Sequence, residues 1–244
     1  MIQFVIPSYQ RPDVIKNKTL TFLLNHDIDP NDIYIFVRED DEKLEEYMDI
    51  SCNIVTTNVK GIGKTHNFIT EYFAEGQMIV EIDDDLEKII DTNRKPITNF
   101  KQICETMFEK LQEKGLSFGG TYSVANPLFM KGCKEYTYDL RYCLGCVRFR
   151  INRKDIILHT NYAEDFENCI QHFMRDGGII KNNWIAPVTK NYSPGGCDGC
   201  GRNIDTEKLD KEYLANKYPN HCKLFQRKNG KWDLRLKHKK DNSI

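Results

Sequence analysis

A chain of 244 residues, 40% hydrophobic and 29% charged, can bury a real core as one large domain or two small ones, so a soluble globular enzyme is the default reading. A formal net charge of -1 argues against a wholly basic nucleic-acid coat protein and leaves only local patches to consider. No apolar stretch approaches membrane-spanning length, and Met1 to Pro7 is too short and lacks the basic start of a signal peptide, which predicts a cytoplasmic protein that does not engage a membrane.

Taken in order, Ile2–Ile6 predicts a first strand, broken by the loop Pro7-Ser8-Tyr9-Gln10-Arg11-Pro12. Asp13 can cap a helix with Val14, Leu20, Leu23 and Leu24 at helical spacing. A second strand, Ile33–Val37, precedes a charged segment from Arg38 to Tyr47 that reads as helical, and Asn53–Thr56 is a third strand. Gly61-Ile62-Gly63 opens a helix from Lys64 to Phe73, followed by a strand over residues 77–82. From Asn99 to Lys114 the apolar positions recur at i, i+3, i+4, with Asn99 as cap, Gln102 in the reciprocal capping position and Gly115 as stop. Leu116–Thr121 predicts a strand, Val124–Asp139 a long functional loop, Cys143–Ile151 one or two short strands and Glu164–Arg175 a helix. Trp184–Val188 is a late strand, Thr206–Lys217 a late helix, and the end is basic. Alternating strands and helices imply an α/β fold with a mostly parallel sheet. One continuous domain is expected over 1–244, with a first half at 1–122, a second at 123–222 and a basic segment at 223–244.

The stretch that organises the chain is Met78-Ile79-Val80-Glu81-Ile82, which runs straight into Asp83-Asp84-Asp85. Three adjacent carboxylates repel one another, and the cost is tolerable only if they are solvated or share a cation. Strand ends in open α/β sheets are also where ligands bind. Asp83–Asp85 therefore reads as the lip of a site for a divalent metal and an anionic ligand, the alternative being an acidic turn that caps a helix.

Gly61-Ile62-Gly63-Lys64-Thr65 lacks the glycine that a nucleotide-binding P-loop needs five positions before Gly63, where Asn58 stands. Lys64, His66 and Asn67 in the first turn of a helix still make a diphosphate-facing surface, or an ordinary tight turn. Nine cysteines in a cytosolic chain read as thiols or metal ligands rather than disulfides. Cys143-Leu144-Gly145-Cys146 and Cys197-Asp198-Gly199-Cys200 are candidate ligands of a structural zinc, although Cys143 and Cys146 also suit a buried strand. Residues 223–240 carry eight Lys or Arg against one acid, Asp233, with Phe225 and Trp232 interleaved. Such a segment suits a polyanion, or is a solvated terminus.

In this order, the loop at 7–12, Gly61 to Asn67, Asp83 to Asp85 and Glu164-Asp165 resemble the motifs of nucleotide-sugar glycosyltransferases with the GT-A (Rossmann-like) fold, family 2 in particular. The resemblance implies a mixed, mostly parallel sheet flanked by helices. Donor contacts would come from Pro7, Ser8, Tyr9, Arg11, Gly63, Lys64, His66, Asn67, Asp83 and Asp84, with His66 standing where the family usually has arginine. Asp83 and Asp85 would hold Mn2+ or Mg2+ against a nucleotide-sugar donor, a UDP-sugar in the first instance. Glu164 and Asp165 match the acidic pair that supplies the base of inverting members, and acids at a helix N-terminus also suit its dipole. The glycine-rich loop from Ser193 to Arg202 is further similar to that of the TET-associated glycosyltransferases, relatives of the enzyme that makes base J, which act on hydroxymethylated pyrimidines in DNA of phages and kinetoplastids. That resemblance implies a DNA acceptor, with Gly196, Arg202, Arg227, Lys228, Lys231 and Arg235 as contacts. Its rivals are a family 2 transferase acting on a surface glycan or lipid, a sugar nucleotidyltransferase, and a non-catalytic nucleic-acid-binding protein.

Overall fold

A computed structural model describes residues 1–189 and 202–237. Its strands are β1 (Ile2–Ser8), β2 (Ile33–Arg38), β3 (Asn53–Thr57), β4 (Met78–Ile82), β5 (Leu86–Asp91), β6 (Phe118–Thr121), β7 (Tyr136–Thr137), β8 (Val147–Ile151), β9 (Ile180–Asn182), β10 (Ile185–Thr189), β11 (Cys222–Gln226) and β12 (Trp232–Leu236). Eight of them form one sheet in the order β3-β2-β1-β4-β8-β6-β9-β7. The first four are mutually parallel, β8 runs antiparallel to β4 and β6, and β5 with β10 makes a separate antiparallel ribbon. The result is the mixed, mostly parallel α/β sheet expected.

Alternation along β1 sends Phe4 and Ile6 to one face and Val5 to the other. The first face packs on the helical segments α1 (Pro12–Ile15) and α2 (Thr21–Leu24), joined by a π turn at Lys16–Leu20, and on α5 (Phe100–Lys114) through Phe100, Met107 and Leu111. The second packs on α4 (Ile62–Tyr72) through Ile69 and Phe73. A separate core joins α7 (Glu164–Asp176), α8 (Ile204–Lys217) and the β11–β12 hairpin through Ile170, Leu214, Leu234 and Leu236.

Several boundaries differ from expectation. The charged segment after β2 is helical only at α3 (Leu44–Met48), because the Asp41 carboxylate accepts from the Gln10 and Lys43 amides and folds residues 39–43 into turns. The long loop after β6 contains a short helix, α6 (Pro127–Met130), and β7. Of the predicted 143–151 strand region only β8 is extended. At α5 the Asn99 amide meets Gln102 Oε1 at 3.2 Å and makes no cap to the backbone, whereas Gly115 ends the helix in the left-handed conformation as expected, at φ 64°. Strand β5 follows directly on the acids, so Asp83–Asp85 forms a strand-to-strand turn rather than a helix cap.

That turn is pinned from the π turn. Buried Thr19 donates its hydroxyl to the Asp83 carbonyl at 2.7 Å and accepts from the Leu86 amide at 2.9 Å. Thr19→Val preserves the shape but strands one buried donor and one acceptor, and is expected to cost about 2 kcal/mol in urea unfolding.

Candidate active site

One cleft of about 960 Å3 is lined by the loop after β1, the ends of β2 and β3, the start of α4, the acidic turn after β4, the stretch from Leu140 to Arg148, the first turn of α7 and the residues before it, Thr189 of β10, and α8 with the terminal hairpin. In chain order the polar and charged side chains among them include Ser8, Tyr9 and Arg11; Thr65 and His66; Asp83, Asp84 and Asp85; Tyr142 and Arg148; Glu164 and Asp165; and Arg202, Lys211, Arg227, Lys231 and Arg235. The wall of the first segment is aromatic, with the Arg38 guanidinium 4.6 Å from the Tyr9 ring centroid and Phe36 and Thr57 beside them.

The three acids have different surroundings. Asp84 accepts from the Ser8 hydroxyl at 2.7 Å and pairs with Arg11 at 3.1 Å, while Ser8 also meets the buried Tyr47 hydroxyl at 2.8 Å. Asp83 meets the Cys146 thiol, and burial, reinforced by Asp165 and Asp85 against the opposing pull of Arg148, pushes its carboxyl up to about 7. Asp85 is 8% exposed and takes no hydrogen bond or ion pair among the described residues; burial and the neighbouring Asp84 raise its pKa. Asp83 and Asp85 are thus two carboxylates that no cation among the described residues contacts, separated by one already paired with Arg11.

Asp165 is held on both oxygens. Arg148 donates to Oδ1 at 3.0 Å and the Tyr142 hydroxyl to Oδ2 at 3.1 Å. Glu164 carries no such partner among the described residues, and burial together with the Asp165 charge pushes its carboxyl well above the usual range. Gly145 is required beside them, since a Cβ there would lie 2.7 Å from Asp165 Oδ1.

Beneath the cleft lies a buried polar layer that no sequence motif announced. Glu81, on β4, faces Arg148 in the β8 register and is flanked by Arg148 at 3.1 Å and Arg150 at 2.7 Å. Burial alone would raise the Glu81 carboxyl, yet Arg150, His66 and Arg148 hold it well below the usual range. His66 is 4% exposed, accepts from Arg148 at Nε2 over 2.7 Å and lies 3.5 Å from Glu81 through Nδ1; burial and Arg148 keep it neutral. The only trace of this layer in the sequence is polar alternation inside apolar strands, Glu81 in β4 and Arg148 and Arg150 in Val-Arg-Phe-Arg-Ile.

Other expected donor contacts sit elsewhere. The His66 imidazole serves Arg148 and Glu81, although the residue borders the cleft. Asn67 clamps the backbone of Leu158, accepting from its amide and donating to its carbonyl, both at 2.8 Å. Lys64 is exposed, and Gly63, Lys64 and Asn67 are not part of the cleft wall. The two glycines serve packing: Gly61 has φ 102°, and a Cβ on Gly63 would lie 2.0 Å from the Thr160 carbonyl oxygen. Among the described residues no three His, Cys, Asp or Glu side chains converge on a metal position. Cys143 is buried against Cys169, and Cys146 lies between Asp83 and Thr189, while Cys197, Cys200 and Gly196 fall outside the described residues. Of the basic residues, Arg202 pairs with Glu207 at 2.6 Å, Arg227 with Asp233, and Arg235 lies over Phe225 at 4.9 Å. Lys228 is exposed and outside the cleft wall.

No family model matches the sequence, and no curated protein matches it. Solved structures do. S. aureus TarS 1–349, in complex with UDP-GlcNAc, aligns with a TM-score of 0.58 at 15% identity over 90% of this chain and 66% of that one. Glucosyl-3-phosphoglycerate synthase from Mycobacterium tuberculosis, in complex with Mn2+, UDP and phosphoglyceric acid, aligns with a TM-score of 0.55 at 12% identity over 97% of this chain and 86% of that one. The chain spans about two thirds of the TarS fragment. At such identities the likeness speaks for architecture, and the architecture of this chain is the GT-A fold.

Proposed function

We propose that the chain is a metal-dependent glycosyltransferase that takes a sugar from a nucleoside diphosphate donor, a UDP-sugar in the first instance, and passes it to an acceptor hydroxyl. The observation that carries this reading is the convergence of the loop after β1, the acidic turn after β4 and the first turn of α7 on one cleft. The fold supports it, since TarS is bound to UDP-GlcNAc and the mycobacterial synthase to UDP with Mn2+ or Mg2+.

The donor set fits a divalent cation. Asp84 is spent on Ser8 and Arg11, which leaves Asp83 and Asp85 as ligands. Two carboxylates without a third protein ligand among the described residues suit Mg2+ or Mn2+, which keep waters and fill their shells from substrate phosphates. Asp83 and Asp85 would hold such an ion, which would supply positive charge against the departing nucleoside diphosphate. Tyr9 and Phe36, with Thr57 beside them, give the nucleoside an aromatic wall, and Arg11 pairs with Asp84. Asp165 is the candidate base for the acceptor hydroxyl, with Glu164, raised toward neutrality, as its neighbour for proton traffic.

For the acceptor, the proposed group is the hydroxyl of a hydroxymethylated pyrimidine in DNA, supported by Arg227, Lys231 and Arg235 on the cleft rim. A discrete glycan or lipid acceptor is the second reading, favoured by the pairing of Arg202 and Arg227 with Glu207 and Asp233, which leaves less charge for a polyanion.

Purified protein with Mn2+ and a panel of nucleotide sugars is expected to release nucleoside diphosphate, and Asp85→Asn to lower that release about 100-fold or more. Stimulation by hydroxymethylated DNA that fades steeply between about 50 and 200 mM salt supports the DNA acceptor, and salt-insensitive stimulation by an oligosaccharide supports the second reading. No release from any donor refutes glycosyl transfer. Because Asp83 titrates at about 7 without metal, Mn2+ must displace its proton at lower pH. Mn2+ affinity measured by calorimetry should therefore weaken about tenfold per pH unit below 7 and level off above it, and Asp83→Asn should remove that slope.

A further inference from the structure

Arg148 is the largest of the fully buried side chains, at 2% exposure. Its Nη2 lies 3.1 Å from Glu81 Oε2 and 2.7 Å from His66 Nε2, and its Nη1 lies 3.0 Å from Asp165 Oδ1. The far oxygen of Glu81 is taken by Arg150 Nε at 2.7 Å, and Arg150 is in turn fixed by Thr70 and Asn152, each at 2.8 Å. Two guanidiniums thus face two carboxylates, and the cluster is neutral as a whole although it lies inside the fold. Of its members, His66, Arg148 and Asp165 reach the cleft wall, and Asp165 is the carboxylate among them.

We propose, resting on the glycosyl-transfer reading, that Arg148 is a positioning residue: its fork, anchored on Glu81 and His66, fixes Oδ1 of Asp165 so that the carboxylate presents its remaining lone pairs to the acceptor hydroxyl. Arginine is required because one planar group must reach two carboxylates in different directions, whereas a lysine ammonium is a point charge that satisfies one. Tyr142 completes the orientation from the other side, its ring stacked on Phe166 with centroids 4.4 Å apart and its hydroxyl on Oδ2. Gly145 leaves the room that Oδ1 occupies.

Arg148→Lys keeps the charge and loses the fork. In the full-length protein with Mn2+ and a donor and acceptor that turn over, it is expected to lower kcat roughly 10- to 100-fold while changing the donor KM less than about twofold. In an Asp165→Asn background the same change should cost less than about twofold, because the group it positions is already gone. A crystal structure of Arg148→Lys is expected to show the Asp165 carboxylate displaced from its present place. Gly145→Ala, which crowds Oδ1 from the cleft side and leaves the buried charges alone, should reproduce the kcat loss. Equal losses with and without Asp165, or an Asp165 that keeps its place in the variant crystal, overturn the proposal. An unchanged kcat in Gly145→Ala overturns it too, even if Arg148→Lys fails to fold. A wild-type protein that turns over no donor counts against glycosyl transfer alone, and the variant crystal then decides the role of Arg148 by itself.

Discussion

Strand β4 carries a glutamate into the interior, and β8 answers it with two arginines. Stripping three such charges of water costs several kcal/mol per ion unless each finds a partner in good geometry. That demand fixes the register of β4 against β8, since Glu81 must face Arg148, and it seats α4 and α7, which bring His66 and Asp165 to the same guanidinium. A one-residue slip would bury Ile82 or Val80 opposite Arg148 and turn Glu81 into the apolar face that holds Phe149. The polar layer therefore sets the strand whose end bears Asp83 and Asp85 and the helix whose first turn bears Asp165.

The second support is the hydrogen bonding around the acidic turn. Thr19 holds the backbone on either side of it, and Ser8 and Arg11 hold Asp84. These contacts join the β1 loop, the π turn and the β4–β5 turn into one unit, so the donor wall and the metal ligands are positioned together. Among the described residues Asp83 and Asp85 have no ion pair of this kind, and burial raises the pKa of both. A site that leaves charge unanswered in the absence of ligand is suited to bind the cation that answers it.

At the opposite rim the hairpin β11–β12 is not a frayed end. Leu234 and Leu236 bury against Leu214 of α8, and Arg227 and Lys211 spend part of their charge on Asp233. The basic composition of residues 223–237 is in this way divided between internal pairing and a cleft wall. Composition could count those charges but had no means of telling which were already paired.

The sequence by itself determined the class of fold and the linear order of its parts. The apolar runs of β1, β2 and β4, the helical periodicity of α5 and α7 and the abrupt change from Ile82 to Asp83 are local signals, written within a turn or a strand. They were enough to place the mixed α/β sheet and to single out Asp83–Asp85, whereas Glu164-Asp165 was marked only by the resemblance of the motif order; the cleft brings the two together. Only the tertiary structure decided which acid is free and which is spent, that Asn67 clamps Leu158 instead of facing the cleft, that Gly61 and Gly63 make room for residues 160 and 161, and that Arg148 joins Glu81 to Asp165. Each of these depends on partners separated in sequence by between 17 and 100 positions. Pairing of that kind leaves no periodic trace in the chain, because charge and shape are matched across the fold and not along it.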